Sequence, residues 1–367
     1  MPHPTDPPPH EPPDDPAPPT PVHYAEQALL GALLLTPQRL ADLGPLTAQH
    51  FTDRTHGALF TALRTSPAPD PEHHRTNPAW LTTVLNSARP MAPGLTPSYL
   101  HTLIQTCPRP RHAAAYARLL RTDHARRTLR THAQHLADTA ADPTLPDPVA
   151  ATLAQADALA RFLEDLTGQF PSHPGSLPRT TPPPTPPRVT SEEDLEEERY
   201  LLASATAHPT ELTQTRWLQP EDFALPLHGT LWQCLTTLAH RAQPIDPITL
   251  MWEAQHHGLL TSTITSTELM TLLSTPVGTP EHWAQKIFQR ALLARAHTVA
   301  TRITAYTDDP ANTPHQLITG SRRALADLTT LRARRPQPTK PTKPPRVGSP
   351  RAGPPPSATT PAARAGR

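Results

Sequence analysis

The sequence is poor in glycine and in aromatic residues, and it has no long apolar run. Its 367 residues include 13 glycines, 4% aromatics and a hydrophobic set of only 36%. A chain packed throughout usually contains more apolar residues, so we expect part of this one to lie outside any core. No apolar run approaches the roughly 20 residues that a membrane helix needs, and we therefore expect no membrane association.

Cysteine is scarce, and the common signatures of metal or covalent chemistry are missing. Cys107 and Cys234 are too few for a disulfide framework or a four-cysteine zinc site. The 21 histidines form no H-E-x-x-H motif, and neither a C-x-x-C motif nor a nucleophile elbow occurs. We therefore expect no catalytic residue, no metal and no cofactor. The first 16 residues contain acids but no lysine or arginine, which excludes a standard secretory leader. The expected location is the cytoplasm, with association with the nucleoid as an option.

Proline, at 52 residues, is abundant and marks the boundaries of the ordered parts. It fills eleven of the first 22 positions, and it clusters again in residues 171–187 and 336–361. Such segments cannot bury enough apolar surface to offset the entropy of ordering. The predicted organisation is a disordered acidic tail (1–22), a first domain (23–167), a linker (168–191), a second domain (192–332) and a disordered basic tail (333–367).

The two ordered blocks resemble each other. With a shift of 172 residues, 11 of the 38 positions from Glu26 to Leu63 coincide with Glu198 to Leu235 without a gap. Further on, at a shift of 167, Asp142-Pro143 coincides with Asp309-Pro310, and Tyr116 meets Trp283. The matches are mostly apolar and recur at helical spacing, as in a shared core. We interpret the chain as a tandem duplication.

The pattern predicts an all-α fold. Helix starts are indicated by Thr96-Pro97, Asp147-Pro148, Thr279-Pro280 and Thr313-Pro314, because an N-cap residue followed by proline favours the first helical turn. Each block is predicted to consist of a head of about five short helices and an antiparallel helical hairpin. The hairpins are predicted to be 112–141 with 148–166, and 280–307 with 314–331.

A His-Gly dipeptide and a phenylalanine five residues before it occur in both blocks. His56 and His228 each precede a glycine, and we expect each to begin the following helix or to fill a polar niche in the head. Phe51 and Phe223 are predicted to be core. The acidic run from Glu192 to Glu198 is interpreted as a solvated segment leading into a helix, with an acidic docking peptide as the alternative.

The segment Ala25-Glu-Gln-Ala-Leu-Leu-Gly-Ala-Leu-Leu34 resembles the opening of the N-terminal domain of DnaB-family replicative helicases. Family-like features follow in order in the first block and again, more loosely, in the second. They are Phe51, His56, Leu59-Phe60, Tyr99-Leu100, Pro108, Tyr116 to Leu120 and Arg126 or Arg127, and then Glu198 to Leu202, Phe223, His228, Leu231-Trp232, Leu269, Pro276 and Trp283-Ala284.

The resemblance implies a helical head with a hairpin that packs with copies of itself into a collar and helps to dock primase. Members of the family carry a RecA-like motor domain after this part, and only a proline-rich tail follows the second block. A phosphate-binding loop needs glycine immediately before its lysine, and none of Lys286, Lys340 and Lys343 has one. We therefore expect that this chain is not an enzyme and does not drive unwinding by itself.

The leading hypothesis is a non-enzymatic DNA-replication accessory protein that binds the collar of a replicative helicase, a primase or both, with self-association as an option. The apolar hairpin faces are the candidate contacts, although they could equally form the internal core. These residues are Leu119, Leu129, Leu136, Ile287, Val299 and Ile303.

Two alternatives stay open. The first is a DNA-binding accessory protein that acts through the basic tail, because residues 331–367 hold nine basic residues and no acid. The candidate phosphate contacts are Arg332, Arg334, Arg335, Lys340, Lys343, Arg346 and Arg351. The tail lacks aromatic residues, so base stacking is excluded there. The second alternative is a motor-less subunit of a split replicative helicase.

Overall fold

A computed structural model of the chain describes residues 19–170, 176–184, 190–260 and 264–334. Within these ranges the regular structure is helical and no strand occurs, which confirms the predicted all-α class. The acidic N-terminal segment to residue 18 and the basic segment from residue 335 lie outside the described residues.

Residues 19–170, the described part of the first half, form seven α-helices. A first head is formed by α1 to α5, with short 3-10 turns at Pro37–Asp42, Ala48–His50 and Pro110–His112, and a first hairpin is formed by α6 and α7. The helices are α1 (Pro21–Leu35), α2 (Arg54–Thr65), α3 (Pro71–Thr76), α4 (Ala79–Ala88), α5 (Pro97–Thr106), α6 (Ala113–Ala141) and α7 (Pro148–Gln169).

Among the described residues from 190 to 334, the second half repeats this order with one helix fewer, since α3 has no counterpart there. A second head is formed by α8 to α11, with 3-10 turns at Pro209–Thr215 and Pro220–Asp222, and a second hairpin is formed by α12 and α13. The helices are α8 (Glu192–Ala207), α9 (Pro226–His240), α10 (Pro247–His256), α11 (Ser266–Leu273), α12 (Pro280–Asp308) and α13 (Pro314–Arg334).

All four helices begin where the Thr-Pro and Asp-Pro dipeptides predict. Three of the four predicted caps form. The Thr96 hydroxyl accepts a bond from the Tyr99 amide at 3.2 Å, the Asp147 carboxylate one from Ala150 at 2.9 Å, and Thr313 one from Gln316 at 3.4 Å. Thr279 occupies the N-cap position of α12 as predicted, but its side chain makes no cap bond. Proline at the first position is sufficient to begin α12.

Helix α6 takes part in two hydrophobic cores. Its first turns, with Ala113, Ala117 and Leu120, pack into the core of the first head. From Ala125 onward its buried face belongs to a second core, which joins both hairpins to the second head. The first hairpin therefore depends on the second half of the chain for burial of its apolar face.

The two hairpins pair with each other through α6 and α12, which pack together more extensively than any other two helices. The helices run antiparallel. Arg130 near the middle of α6 pairs with Asp308 at the end of α12, whereas Ala141 at the end of α6 lines a cavity with His297 near the middle of α12. Ala133 and Ala300, related by the shift of 167, are both fully buried. The arrangement resembles an isologous dimer interface formed within one chain.

In the described part of the chain, none of the helices combines the length and apolar character that crossing a bilayer requires.

Gly31 in α1 marks the closest approach of two helices in the first head. A Cβ built at this position would lie 2.1 Å from the carbonyl oxygen of Leu103 in α5. Any side chain there would force α1 and α5 apart, because the obstructing atom belongs to backbone.

We expect Gly31→Ala to lower the free energy of unfolding by about 2 kcal/mol through overpacking. Gly168→Ala in α7 is the matched control, because a Cβ there meets nothing within 4 Å. This control should be neutral or stabilising by roughly 0.5 kcal/mol, since alanine is the better helix former. Urea unfolding of the two variants is the measurement, and equal effects at both positions would contradict the close approach.

Candidate functional site

The candidate hairpin faces lie mostly inside the chain. Five of the six candidate residues have side chains at most 1% exposed, and they pack in the core shared by the two hairpins; these are Leu129, Leu136, Ile287, Val299 and Ile303. Leu119, in contrast, is 55% exposed. The single chain thus uses these faces for its own pairing, and only Leu119 remains available to another protein.

Arg126 of α6 binds the C-terminal end of α12. Its guanidinium donates to the carbonyl oxygens of Thr307 at 3.0 Å, Asp309 at 2.7 Å and Asn312 at 2.5 Å, and to that of Pro310 at 3.4 Å. The last carbonyls of a helix have no partner within the helix, and a cation there is favoured by the helix dipole. Arg126 therefore joins the middle of α6 in the first hairpin to the C-terminal end of α12 in the second.

The same position in the second half holds Leu293, which lacks this ability. Leu293 lies beside a cavity of about 800 Å³ that extends to Ala140 and Ala141 at the end of α6. Asp194 and Glu198 of α8 line it from another side. The pairing of the hairpins is therefore asymmetric: one helix end is capped by an arginine, and the other faces open space.

We expect Arg126→Leu, which copies the residue at position 293, to cost about 2 kcal/mol of unfolding free energy, because several buried carbonyl groups lose a charged donor. Arg130→Leu is the control on the same helix; its ion pair with Asp308 joins side chains that are each about half exposed. Removing an exposed pair should cost at most about 0.5 kcal/mol. Chemical denaturation measures both. Equal costs would show that Arg126 contributes no more than a surface pair.

A buried glutamate–histidine pair holds the first head together. The Nδ1 of His56 lies 2.6 Å from a Glu26 carboxylate oxygen, and both side chains are fully buried. Glu26 also accepts bonds from the Thr52 amide at 2.5 Å and the Thr52 hydroxyl at 2.7 Å. The Nε2 of His56 lies 2.6 Å from the Tyr99 hydroxyl. The network links α1, α2 and α5 and satisfies the buried polar groups.

The second head repeats this pair. The Nδ1 of His228 lies 2.8 Å from Glu198, which also accepts a bond from the Ala224 amide at 2.6 Å. In both heads the carboxylate thus fixes the backbone ahead of the helix that carries the histidine. The glycine after each histidine allows close packing, since a Cβ at Gly229 would lie 2.4 Å from the carbonyl oxygen of Pro220.

This geometry decides between the two expected roles of the histidines. The polar niche is the one observed. The expectation that His56 begins the helix was wrong, because α2 begins at Arg54 and Asp53 caps it by accepting a bond from Thr55 at 2.7 Å. Phe51 and Phe223 are buried in the core, as predicted.

Glu26 is held ionised by its neighbours. Burial by itself raises the pKa of this carboxyl, but hydrogen bonds from His56 and from the amide and hydroxyl of Thr52 outweigh it, so the net pKa is lowered. A lowered folded-state pKa contributes stability that is fully present above the unfolded pKa and is lost as pH falls through the folded value.

We expect Glu26→Gln to lower the free energy of unfolding by about 3 kcal/mol near neutral pH, because the buried His56 loses its charged partner. The difference from the parent protein should shrink as pH falls from the ordinary glutamate pKa through the lowered folded-state pKa, where the buried carboxylate also becomes protonated. Unfolding curves across the acid range are the measurement. Glu164→Gln, at an exposed position of α7, is the control and should show no such trend. A difference that stays constant with pH would contradict the role of the charge.

The first head contains a further polar feature near this pair. Ligand atoms of His23, Asp53 and His56 lie within 4.8 Å of one another, the grouping of metal-binding type found among the described residues. Both ring nitrogens of His56 are already engaged by Glu26 and Tyr99. A cation could bind there only by displacing one of these bonds. The second head has Leu195 and Leu225 at the positions of His23 and Asp53.

The acidic run at the start of the second half is only partly solvated. Helix α8 begins at Glu192 within the run, and Ser191 forms a reciprocal capping box with Asp194. Arg290 of α12 pairs with both Asp194 and Glu197, and Lys286 lies 2.7 Å from Glu197. Asp194 and Glu197 therefore anchor α8 to α12, and the expectation of a solvated run was wrong for them. The other three glutamates ahead of Glu197, at positions 192, 193 and 196, are exposed as expected.

Two residues assigned to the basic tail belong to the fold instead. Arg332 and Arg334 lie in α13, which runs to Arg334. Arg332 pairs with Asp157 at 2.9 Å, and Arg334 with Asp222 at 2.8 Å. The other candidates, Arg335, Lys340, Lys343, Arg346 and Arg351, lie outside the described residues.

These features define a class of protein: a tandem duplication of an all-α head and hairpin, paired with itself through the hairpins. Residues 18–122 and 190–288 both match the model of the DnaB-like helicase N-terminal domain, and together they make up more than half of the chain. The chain therefore belongs to the DnaB-like helicase N-terminal domain family, in two tandem copies. No curated protein and no solved structure matches it.

Proposed function

We propose that this protein is a non-enzymatic accessory factor of DNA replication that binds the collar of a replicative helicase, a primase or both. The observation that carries the proposal is that both halves belong to the helicase N-terminal domain family. The pairing of the hairpins within the chain supports an accessory role, because the hairpin pair is complete within one chain and needs no second subunit. A cytoplasmic location, with access to the nucleoid, is part of the same proposal.

The outer surfaces of the heads are the candidate contacts, because the hairpin faces are used internally. In the second head, Ile248 and Trp252 lie one turn apart on α10 and are 57% and 60% exposed. In the first head, Tyr24 and Met91 are both 58% exposed. Tryptophan, tyrosine and methionine are enriched at protein interfaces, and tryptophan most often dominates binding energy there. We therefore assign the main contact to the α10 surface.

The other two functions have less support. A DNA-binding role through the tail loses Arg332 and Arg334, whose guanidinium groups pair with the chain's own carboxylates. A role as a subunit of a split helicase requires a separate motor chain. Such a chain would bind the same surfaces, so the two proposals share their first experiment.

The experiment is a pull-down of the helicase and the primase of the same organism with the tagged full-length chain at near-physiological salt. We expect at least one to bind, and Trp252→Ala to weaken that binding by tenfold or more, as for a central interface tryptophan. Tyr24→Ala, an exposed aromatic on the other head, is the matched control and should bind like the parent.

The outcomes separate the surface from the function. Weakening by Tyr24→Ala alone would move the contact to the first head and leave the function standing. Binding of neither helicase nor primase by the unaltered chain would overturn the proposed function.

A further inference from the structure

The linker between the two halves is held on the second hairpin. In the described stretch 176–184, Arg179 and Thr180 contact the turn that joins α12 to α13. The amide of Arg179 donates to the side-chain oxygen of Asn312 at 2.8 Å, and the hydroxyl of Thr180 donates to Asp309 at 2.6 Å. The Asn312 amide group donates to the Thr180 hydroxyl at 2.7 Å. A proline-rich segment that follows one hairpin is thus seated on the turn of the other.

We call the α12–α13 turn, where the linker binds, the first seat. The two hairpins are related by an approximate twofold axis that superposes α6 on α12 and the α6–α7 turn on the α12–α13 turn. The α6–α7 turn is therefore a second seat. Asp142 and Leu145 stand there in place of Asp309 and Asn312. The linker follows α7, so the segment related to it is the one that follows α13.

The sequences of the two segments support this relation. At the shift of 167, which also relates α6 to α12, six residues of the linker coincide with residues of the tail. The matches, in chain order, are Pro171, Pro174, Pro178, Arg179, Pro183 and Pro187 with Pro338, Pro341, Pro345, Arg346, Pro350 and Pro354.

Prolines are frequent in both segments, so the non-proline positions carry more weight. Thr180 falls on Val347, a side chain of the same shape without the hydroxyl. Its partner Asn312 is replaced by Leu145 in the first hairpin. The polar pair Thr180 and Asn312 at the first seat thus corresponds to the apolar pair Val347 and Leu145 at the second. This is expected when two positions that contact each other change together.

The path from α13 to this second seat is open. Helix α13 ends at Arg334, which is bound to Asp222, and Asp222 lines the cavity of about 800 Å³. The opposite side of that cavity is formed by Ala140 and Ala141, which directly precede Asp142. The cavity thus lies between the end of the described chain and the α6–α7 turn.

Length and charge suit this path. Pro345 lies eleven residues beyond Arg334, whereas Pro178 lies nine beyond Gln169, so the tail has at least the reach of the linker at about 3.3 Å per residue. The tail beyond Arg334 is basic and contains no acid. Four acids line the cavity, against two arginines and one histidine, and Asp142 lies at the turn, so acidic groups predominate along this path and favour a basic segment. The acids are Asp194, Glu198, Glu221 and Asp222, and the basic residues are Arg290, Arg295 and His297.

We propose that residues 335–347 of this chain cross the cavity and seat Pro345–Val347 on the α6–α7 turn, as the linker does on the α12–α13 turn. The tail then completes the pairing of the two hairpins. This inference is independent of the proposed function, since it concerns the chain alone.

Disulfide trapping in the full-length chain tests the seat. On a Cys107→Ser background, Leu145→Cys is combined with Val347→Cys. The native Cys234 is retained, because it is fully buried and burial raises the pKa of its thiol to about 11. The matched control combines Leu145→Cys with Ser357→Cys, ten residues further along the tail. The pair Thr180→Cys with Asn312→Cys gives the rate for the seated linker.

We expect the 145–347 pair to form an intrachain disulfide at least tenfold faster than the 145–357 pair, and at a rate near that of the 180–312 pair. Peptide mapping and non-reducing electrophoresis are the measurements, with helicity checked for each variant. Equal rates at 347 and 357 would overturn the proposal, since the tail would then reach the turn only by random encounter. Linked dimers in place of linked monomers would overturn it as well, because the occupant of the turn would be a second copy.

Discussion

The apolar face of α6 is the constraint on which the rest of the structure depends. A hairpin of two long helices cannot leave such a stripe in water, and in this chain the second hairpin covers it. The antiparallel contact of α6 with α12 then fixes where each head lies, since each head is attached to one of these helices. Arg126 and the anchors between α8 and α12 add polar contacts, but they act on helices that burial has already brought together.

The fold was largely predictable because it follows from local rules applied twice. Proline at a first helical position and apolar spacing located the long helices within a few residues of α6, α7, α12 and α13. Spacing does not reveal what covers a buried face, however. Leu129 and Ile303 show the same periodicity whether their partner is another protein or the other half of the chain. Only three-dimensional pairing distinguishes these cases.

The polar contacts were harder to predict, for different reasons. Glu26 and His56 are 30 residues apart, so no local motif joins them, yet both recur in the second half among positions that otherwise changed. That joint recurrence was a usable signal. Arg126 has no such signal, because Leu293 replaces it. The pattern predicted solvated side chains at Asp194 and Glu197 because their cationic partners, Lys286 and Arg290, lie about ninety residues away in sequence.

Joining the two halves by one linker removes the need for them to be identical. Two separate subunits that meet through a symmetric contact must present the same residues, and every mutation appears twice. Within one chain the contact no longer depends on protein concentration, and each side changes alone. The two halves differ in this way at corresponding positions, with Arg126 in one half and Leu293 in the other, and with His23 and Asp53 in one half and Leu195 and Leu225 in the other. The molecule thus has two related but chemically distinct ends, which allows a directional bridge between unlike neighbours that a symmetric pair could not form.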